Sequence, residues 1–372
     1  MIVVGTGITG SGRATYLKNV VDYAKGQGED IDFEDIGPRM FKKASSLRIE
    51  IPEDKILDLD ITTLRFLRAT VFEEIIHKAD SYRVEKDLLI SLHMSFRWRK
   101  VLLPAFDYYY LNKLDPDFYI TLIDSISNIW MRINREEDLK HWRGRLNLKE
   151  LLIWRDEEIF ITSMVADMLN KQCYILSTST DPRLLYNIIY NVEKPKKLKG
   201  RPRMLKAYLS YPMTMVRDRE DFEEARLELV RKLEEKGVIV FDPAMVKDMV
   251  LVEKLDREPN ADKVYVEDID IAIPADEIRE ARQYIIDQTV VRDYMLIDQS
   301  DFIIVYYPVK ELSAGVLSEM IYAHTHIKNV YALFTEENIS PFFQTYSTKI
   351  FRDIDSLIEF IEELVKLTTE VN

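Results

Sequence analysis

Apolar and polar positions follow two different periods along this 372-residue chain. Short apolar runs closed by glycine, proline or acidic residues predict strands at Ile2–Val4, Asp87–Ser91, Phe118–Ile123 and Cys173–Ser177. The same pattern returns later at Lys206–Leu209, Val238–Phe241, Phe302–Tyr307 and Val330–Phe334. Apolar residues spaced by three and four predict helices over Ala14–Lys25, Asp221–Lys236, Val316–His326 and Ile354–Lys366. Strand and helix therefore alternate in both halves, which predicts an α/β fold with mainly parallel sheets.

The pattern breaks at EKPKKLKGRPR, residues 193–203, where two prolines, a glycine and six basic side chains leave no apolar face to bury. The stretch reads as an exposed linker, with contact to a phosphate backbone as the other reading. It divides the chain into a domain over 1–192 and a second over 204–372. Within the second, the interval over residues 245–288 lies between two of the predicted strands. VEDIDIAIPADEIREARQYI inside it predicts a strand and an amphipathic helix, suited to a lid, a dimer contact or a partner surface.

Charge and cysteine content narrow the class. A formal net charge of −13 argues against a general nucleic-acid binder. The lone cysteine, Cys173, cannot form an internal disulfide, and no apolar run approaches a membrane span. A cytoplasmic protein without a membrane partner is the expectation.

Two segments carry candidate chemistry. GITGSGRATY, residues 7–16, follows the first strand and opens the first helix. A phosphate-binding loop has the form GxxxxGK followed by serine or threonine: glycines let backbone N–H groups curl round phosphate, lysine neutralises it, and the hydroxyl binds magnesium. Gly7, Gly10 and Gly12 suit such a loop and Thr15 follows it, but Arg13 replaces the lysine and Ala14 cannot hold a metal. The residues alone allow a phosphate-holding loop or a plain tight turn.

Residues 1–192 resemble archaeal adenylate kinases and related small P-loop nucleotide kinases. The stretches IVVGTGITGSGRATYLKNV, FEDIGPRMFKKA, LDPDFYITLID and INREEDLKHWRGRLNLKELLIWRDEEIF carry the likeness. In that family an Asp-Thr-His triplet ends a central strand and its aspartate organises magnesium. Here the matching stretch is LLISLHMSF, so Ser91 stands at the aspartate's place while His93 remains. The resemblance implies a nucleotide at the loop, with Arg132, Arg143 and Arg145 as phosphate clamps. The departures at Arg13, Ala14 and Ser91 argue against phosphoryl transfer.

The second segment is SDFIIVYYPVKELSAGVLSEMIYAH, residues 300–324: a buried strand, a loop with Ser313 and Gly315, then Glu319 in the first turns of a helix. A glutamate there is a cap, a solvated side chain or a catalytic group. AYLSYPMT, with Tyr208, and GVIVFDP, ending at Asp242 and Pro243, close two other strands, and Asp293 lies one helical stretch before Asp301. Together these resemble the nucleoside 2-deoxyribosyltransferase superfamily over residues 204–336. SAGVLSE is more similar to its branch that cleaves nucleoside 5′-monophosphates, where a serine at the place of Ser313 holds the phosphate. An aspartate there would repel phosphate, whereas a hydroxyl accepts it.

The resemblance implies Glu319 as nucleophile, Asp293 as proton donor to the leaving base and Tyr208 as the group orienting the ligand. Ser313, Gly315, Asp242, Pro243 and Arg217 would line the substrate site. It also implies a homo-oligomer and a nucleoside or nucleotide ligand, with no cofactor or metal required for the glycosidic reaction. The full expectation is a P-loop kinase-like three-layer α/β domain followed by a Rossmann-like or flavodoxin-like parallel-sheet α/β domain. A non-catalytic nucleotide sensor and a magnesium-dependent nucleotide kinase are the alternatives.

Overall fold

Apolar strands in this chain are filled on both faces, as parallel sheets require: IVVGT at the start and FIIVYY near residue 305 are buried at every position. The computed structural model describes residues 1–84, 86–194, 203–217, 219–336 and 339–370. Most of the 193–203 stretch lies outside the described residues.

In chain order the elements begin β1 (Ile2–Thr6), α1 (Arg13–Gly26), β2 (Ile31–Asp35), α2 (Ile36–Ser46), α3 (Ile61–Val84) and β3 (Asp87–Ser91). Next come β4 (Ser95–Trp98), β5 (Val101–Pro104), α4 (Tyr108–Leu114), β6 (Phe118–Ile123), α5 (Ile126–Arg135), α6 (Leu148–Met168), β7 (Gln172–Ser177) and α7 (Pro182–Asn187). The chain continues through β8 (Leu205–Ser210), α8 (Met213–Val216), α9 (Glu220–Glu235), β9 (Val238–Phe241), α10 (Met249–Arg257), β10 (Lys263–Val266), β11 (Ile271–Pro274) and α11 (Ala275–Asp298). It closes with β12 (Phe302–Tyr307), α12 (Ala314–Thr325), β13 (Asn329–Phe334), α13 (Pro341–Tyr346), β14 (Lys349–Phe351) and α14 (Ile354–Glu370). The fold class is α/β.

Two compact units emerge. Unit 1 is Met1–Arg183 with Val246–Gln288, and unit 2 is Leu184–Met245 with Thr289–Asn372. Unit 1 holds a five-stranded sheet ordered β2-β3-β1-β6-β7, every pair parallel. The crossovers leaving β1 and β6 run to opposite edges, so the loops after these two strands diverge at a topological switch point. Two antiparallel hairpins, β4–β5 and β10–β11, complete its strands.

The long interval over 246–288 belongs to unit 1 because its apolar side chains are part of that unit's core. Leu251, Leu255, Ile271, Ile273, Ile278 and Ile285 share one buried cluster with Ile126, Ile129, Leu151 and Trp154. A buried polar joint reinforces it. Arg155 pairs with Asp248 at 2.6 Å and donates to Gln288 at 2.8 Å, and Asp248 accepts the Ile126 N–H at 2.7 Å.

Unit 2 holds a second parallel sheet, ordered β9-β8-β12-β13-β14. Numbered within the unit this is 2-1-3-4-5, and the chain reverses direction across the sheet between β8 and β12. Its core joins Leu209 of β8 and Ile304 of β12 to Leu229 and Leu233 of α9 and to Leu357 and Ile361 of α14.

Candidate functional site

At the carboxyl end of β8, Tyr208 and Ser210 are two residues apart and so project from the same face of the strand. Both reach one carboxylate. The Tyr208 hydroxyl donates to Glu319 Oε1 at 3.0 Å, and Ser210 Oγ donates to Glu319 Oε2. Glu319 projects from α12, the helix after β12, so the contact spans the switch point of unit 2. The position is half-buried and the end of β8 beneath it is fully buried.

Asp293, buried on α11, completes the group. Burial first, then the negative charge of Asp293, pushes the Glu319 carboxyl up to about 8, against the pull of the Ser210 and Tyr208 hydroxyls. Burial raises Asp293 to about 6, offset by Arg292, whose guanidinium lies 3.3 Å away. The Tyr208 phenol is driven well above its ordinary range by burial and the two nearby carboxylates. Both carboxyls are thus held above the ordinary carboxylate range, Glu319 further than Asp293, which disfavours ionising both at once. A stacked pair, Tyr294 of α11 on Tyr322 of α12 at 4.1 Å, fixes the two helices that carry these acids.

The remaining predicted residues divide. Ser313 is the N-cap of α12, its Oγ accepting the Val316 N–H at 3.4 Å, and its own N–H donates to the Tyr307 hydroxyl at 2.7 Å. Gly315 is exposed in the first turn, and a Cβ there would meet nothing nearer than Ser313 Oγ at 3.9 Å, so the approach to the helix start is open. Asp242 is committed elsewhere: it pairs with buried Arg226 and accepts from the Tyr211 hydroxyl at 3.0 Å and the Ala244 N–H at 2.9 Å. Pro243 is buried in the turn that follows. Arg217 is exposed just beyond α8. Sequence reasoning misses Ser210, although its alternation with Tyr208 is the available signal.

The glycine loop lies at the switch point of unit 1. Gly7 has φ 152°, and a Cβ there would come within 2.4 Å of the Leu122 carbonyl oxygen. Gly10 and Gly12 have φ 82° and 80°. Only glycine takes such backbone without strain. Arg13, however, points inward: Nε donates to Ser91 Oγ at 2.9 Å and Nη1 to the Gly7 carbonyl at 2.5 Å. The Gly7 N–H is taken by buried Glu158 at 3.2 Å, whose carboxylate also accepts from Met94 and Ser95. Thr15 is exposed on α1.

Of the expected clamps, Arg132 binds Asp124 at 2.6 Å and the Gly10 carbonyl at 2.7 Å. Arg143 donates to backbone carbonyls of Arg135 and Glu136, and the Arg145 guanidinium stacks on Trp98 at 4.3 Å. A cavity of about 920 Å³ opens against this loop, lined in part by Gly10, Gly12, Arg13, Thr15 and Arg132. Among the described residues no group of three His, Cys, Asp or Glu side chains could hold a metal ion, and no helix is long and apolar enough to cross a membrane. No family model matches this sequence.

Proposed function

We propose that unit 2 cleaves or transfers the N-glycosidic bond of a nucleoside 5′-monophosphate, with Glu319 as nucleophile. The observation that carries this reading is the Glu319 carboxylate gripped by Tyr208 and Ser210 at the carboxyl end of a central strand, beside a second buried acid. Open α/β sheets bind ligands at such a switch point. The 2-1-3-4-5 strand order also supports a flavodoxin-like description of this unit.

Breaking a base–sugar bond builds positive charge at C1′, which a facing carboxylate stabilises. A Glu319 oxygen forms a bond to C1′ as the C1′–N bond breaks. The electron pair leaves with the base nitrogen, which takes a proton from Asp293. The Asp293 carboxylate then accepts a proton from water or an incoming base, that nucleophile bonds to C1′, and Glu319 leaves as carboxylate. The cycle needs one proton on the pair, carried by Asp293 when the ligand is bound. Ser313 and the open first turn of α12 would receive the 5′-phosphate.

Base release from a panel of nucleoside 5′-monophosphates tests the proposal. Glu319→Ala should lower release by roughly 10³-fold or more, and a variant that keeps wild-type release would remove Glu319 from the role. One observation favours a second reading, binding without turnover: the Glu319 carboxyl is raised to about 8, which favours its protonated form over the anion that a nucleophile needs. Saturable binding with no base released would select that reading.

In unit 1 the phosphate-loop resemblance is not matched by free phosphate-binding groups at the loop. Arg13 and the Gly7 N–H already have internal partners, and Ser91 takes one of the Arg13 bonds. The same features speak against phosphoryl transfer. A cytoplasmic homo-oligomer acting on small molecules fits the proposed chemistry.

A further inference from the structure

The wall of the unit 1 cavity carries a cation that no carboxylate among the described residues neutralises. Arg68 of α3 lines the cavity, is 5% exposed, and makes one hydrogen bond, from Nη1 to the Phe106 carbonyl at 3.3 Å. Among the described residues no carboxylate lies within ion-pair distance of it. Burial lowers its pKa to about 10, outweighing the attraction of the more distant Asp107. A buried, unpaired guanidinium destabilises a fold unless something else neutralises it.

The rest of the lining restricts what that partner is. Phe41, Phe96, Trp98 and Trp142 supply flat apolar surface. Among the described residues the lining arginines are Arg13, Arg68 and Arg132, and the lining carboxyl side chains are Asp35, Asp54, Glu136 and Asp138. Arg132 is already paired with Asp124, and Arg13 is bonded to Ser91 and the Gly7 carbonyl. Among the described residues one cation remains available, in a cavity whose described lining has an acidic surplus. A polyphosphate or a phosphate dianion would be repelled, whereas one planar carboxylate matches one guanidinium fork.

We propose that this cavity binds a small aromatic acid, its single carboxylate neutralised by Arg68 and its flat body packed among the cavity's aromatic side chains, without a metal ion. The proposal is independent of the glycosidic reading, which concerns unit 2.

Calorimetric titration of the full chain in EDTA with 1-naphthoate, its neutral isostere 1-naphthamide, and adenosine monophosphate tests it. Naphthoate should bind saturably and at least about tenfold more tightly than either comparison ligand. Arg68→Met should bring naphthoate down to the level of the amide, and Arg68→Lys should keep part of the preference. Without ligand, Arg68→Met should melt about 2–4 °C above the wild type, because it removes a buried unpaired charge. Equal affinity for acid and amide, tighter binding of the nucleotide, or an Arg68→Met variant that melts lower yet binds naphthoate unchanged would each overturn the proposal. Should the methionine variant not fold, Arg68 is structural and the idea fails unless Arg68→Lys retains the carboxylate preference.

Discussion

Ser210 is the residue whose removal speaks most directly to how Glu319 works. A hydrogen bond to a charged group contributes about 1.5–3 kcal/mol, and this one stabilises the ionised carboxylate. With one proton required on the pair, base release should follow a bell with limbs near pH 6 and pH 8. Ser210→Ala should lower kcat about tenfold and move the alkaline limb upward, since Glu319 loses a donor that favours its charge. An unmoved limb in the pH–rate profile would reduce Ser210 to packing. Stability carries the same sign. Glu319 has a folded pKa above its unfolded value of 4.5, so its contribution is fully present below that value and is lost as pH rises through about 8. The melting temperature of Glu319→Gln relative to wild type should therefore be higher at pH 9 than at pH 5, by ~2 °C or more. Thermal melts at the two pH values check this.

At the scale of elements, the start of α12 is where structure and specificity meet. Ser313 caps the helix that carries Glu319, and an N-cap contributes about 1 kcal/mol. Replacing it by alanine would confound capping with ligand binding. Ser313→Asp preserves a capping side chain while adding a negative charge, so it separates them. If the helix start receives a phosphate, this variant should lose about tenfold in kcat/KM for nucleoside 5′-monophosphates and little for the free nucleosides. Equal loss on both would move the phosphate elsewhere. The glycine loop teaches the complementary point. Its left-handed glycines follow from the sequence pattern, yet the guanidinium expected to face a ligand turns back onto Ser91 and Gly7. Residue type at a spacing says what a side chain could do; its rotamer depends on neighbours from other strands.

For the whole molecule, chain order and packing partition the residues differently. Residues 246–288 are bracketed in sequence by strands of unit 2 but bury Ile271, Ile273, Ile278 and Ile285 in the core of unit 1. A fragment over residues 204–372 would carry those side chains without the surface that covers them. At about 25 cal/mol per Å² of apolar surface, such exposure favours association. The fragment should aggregate or elute as large species on size exclusion, whereas the full chain should not. A monodisperse, folded 204–372 fragment would contradict this.

Apolar runs and helical spacing determine the α/β class and most of the strands, whereas Tyr208 on β8, Asp293 on α11 and Glu319 on α12 are singled out by a family resemblance and not by periodicity. Parallel strands announce themselves because both faces must be apolar. Short elements were harder: β14 has three residues, and the β4–β5 pair has largely exposed side chains on its second strand, so neither produces a clear period. What the tertiary structure alone decided is which side chains meet. Glu319 finds Ser210 across a strand order that skips from β8 to β12. Asp242 is taken by Arg226, and Arg68 faces a cavity with no carboxylate among the described residues within ion-pair distance. Glu319 and Ser210 are 109 residues apart and Asp242 and Arg226 are 16 apart, and local periodicity carries no information about which side chains meet across such intervals.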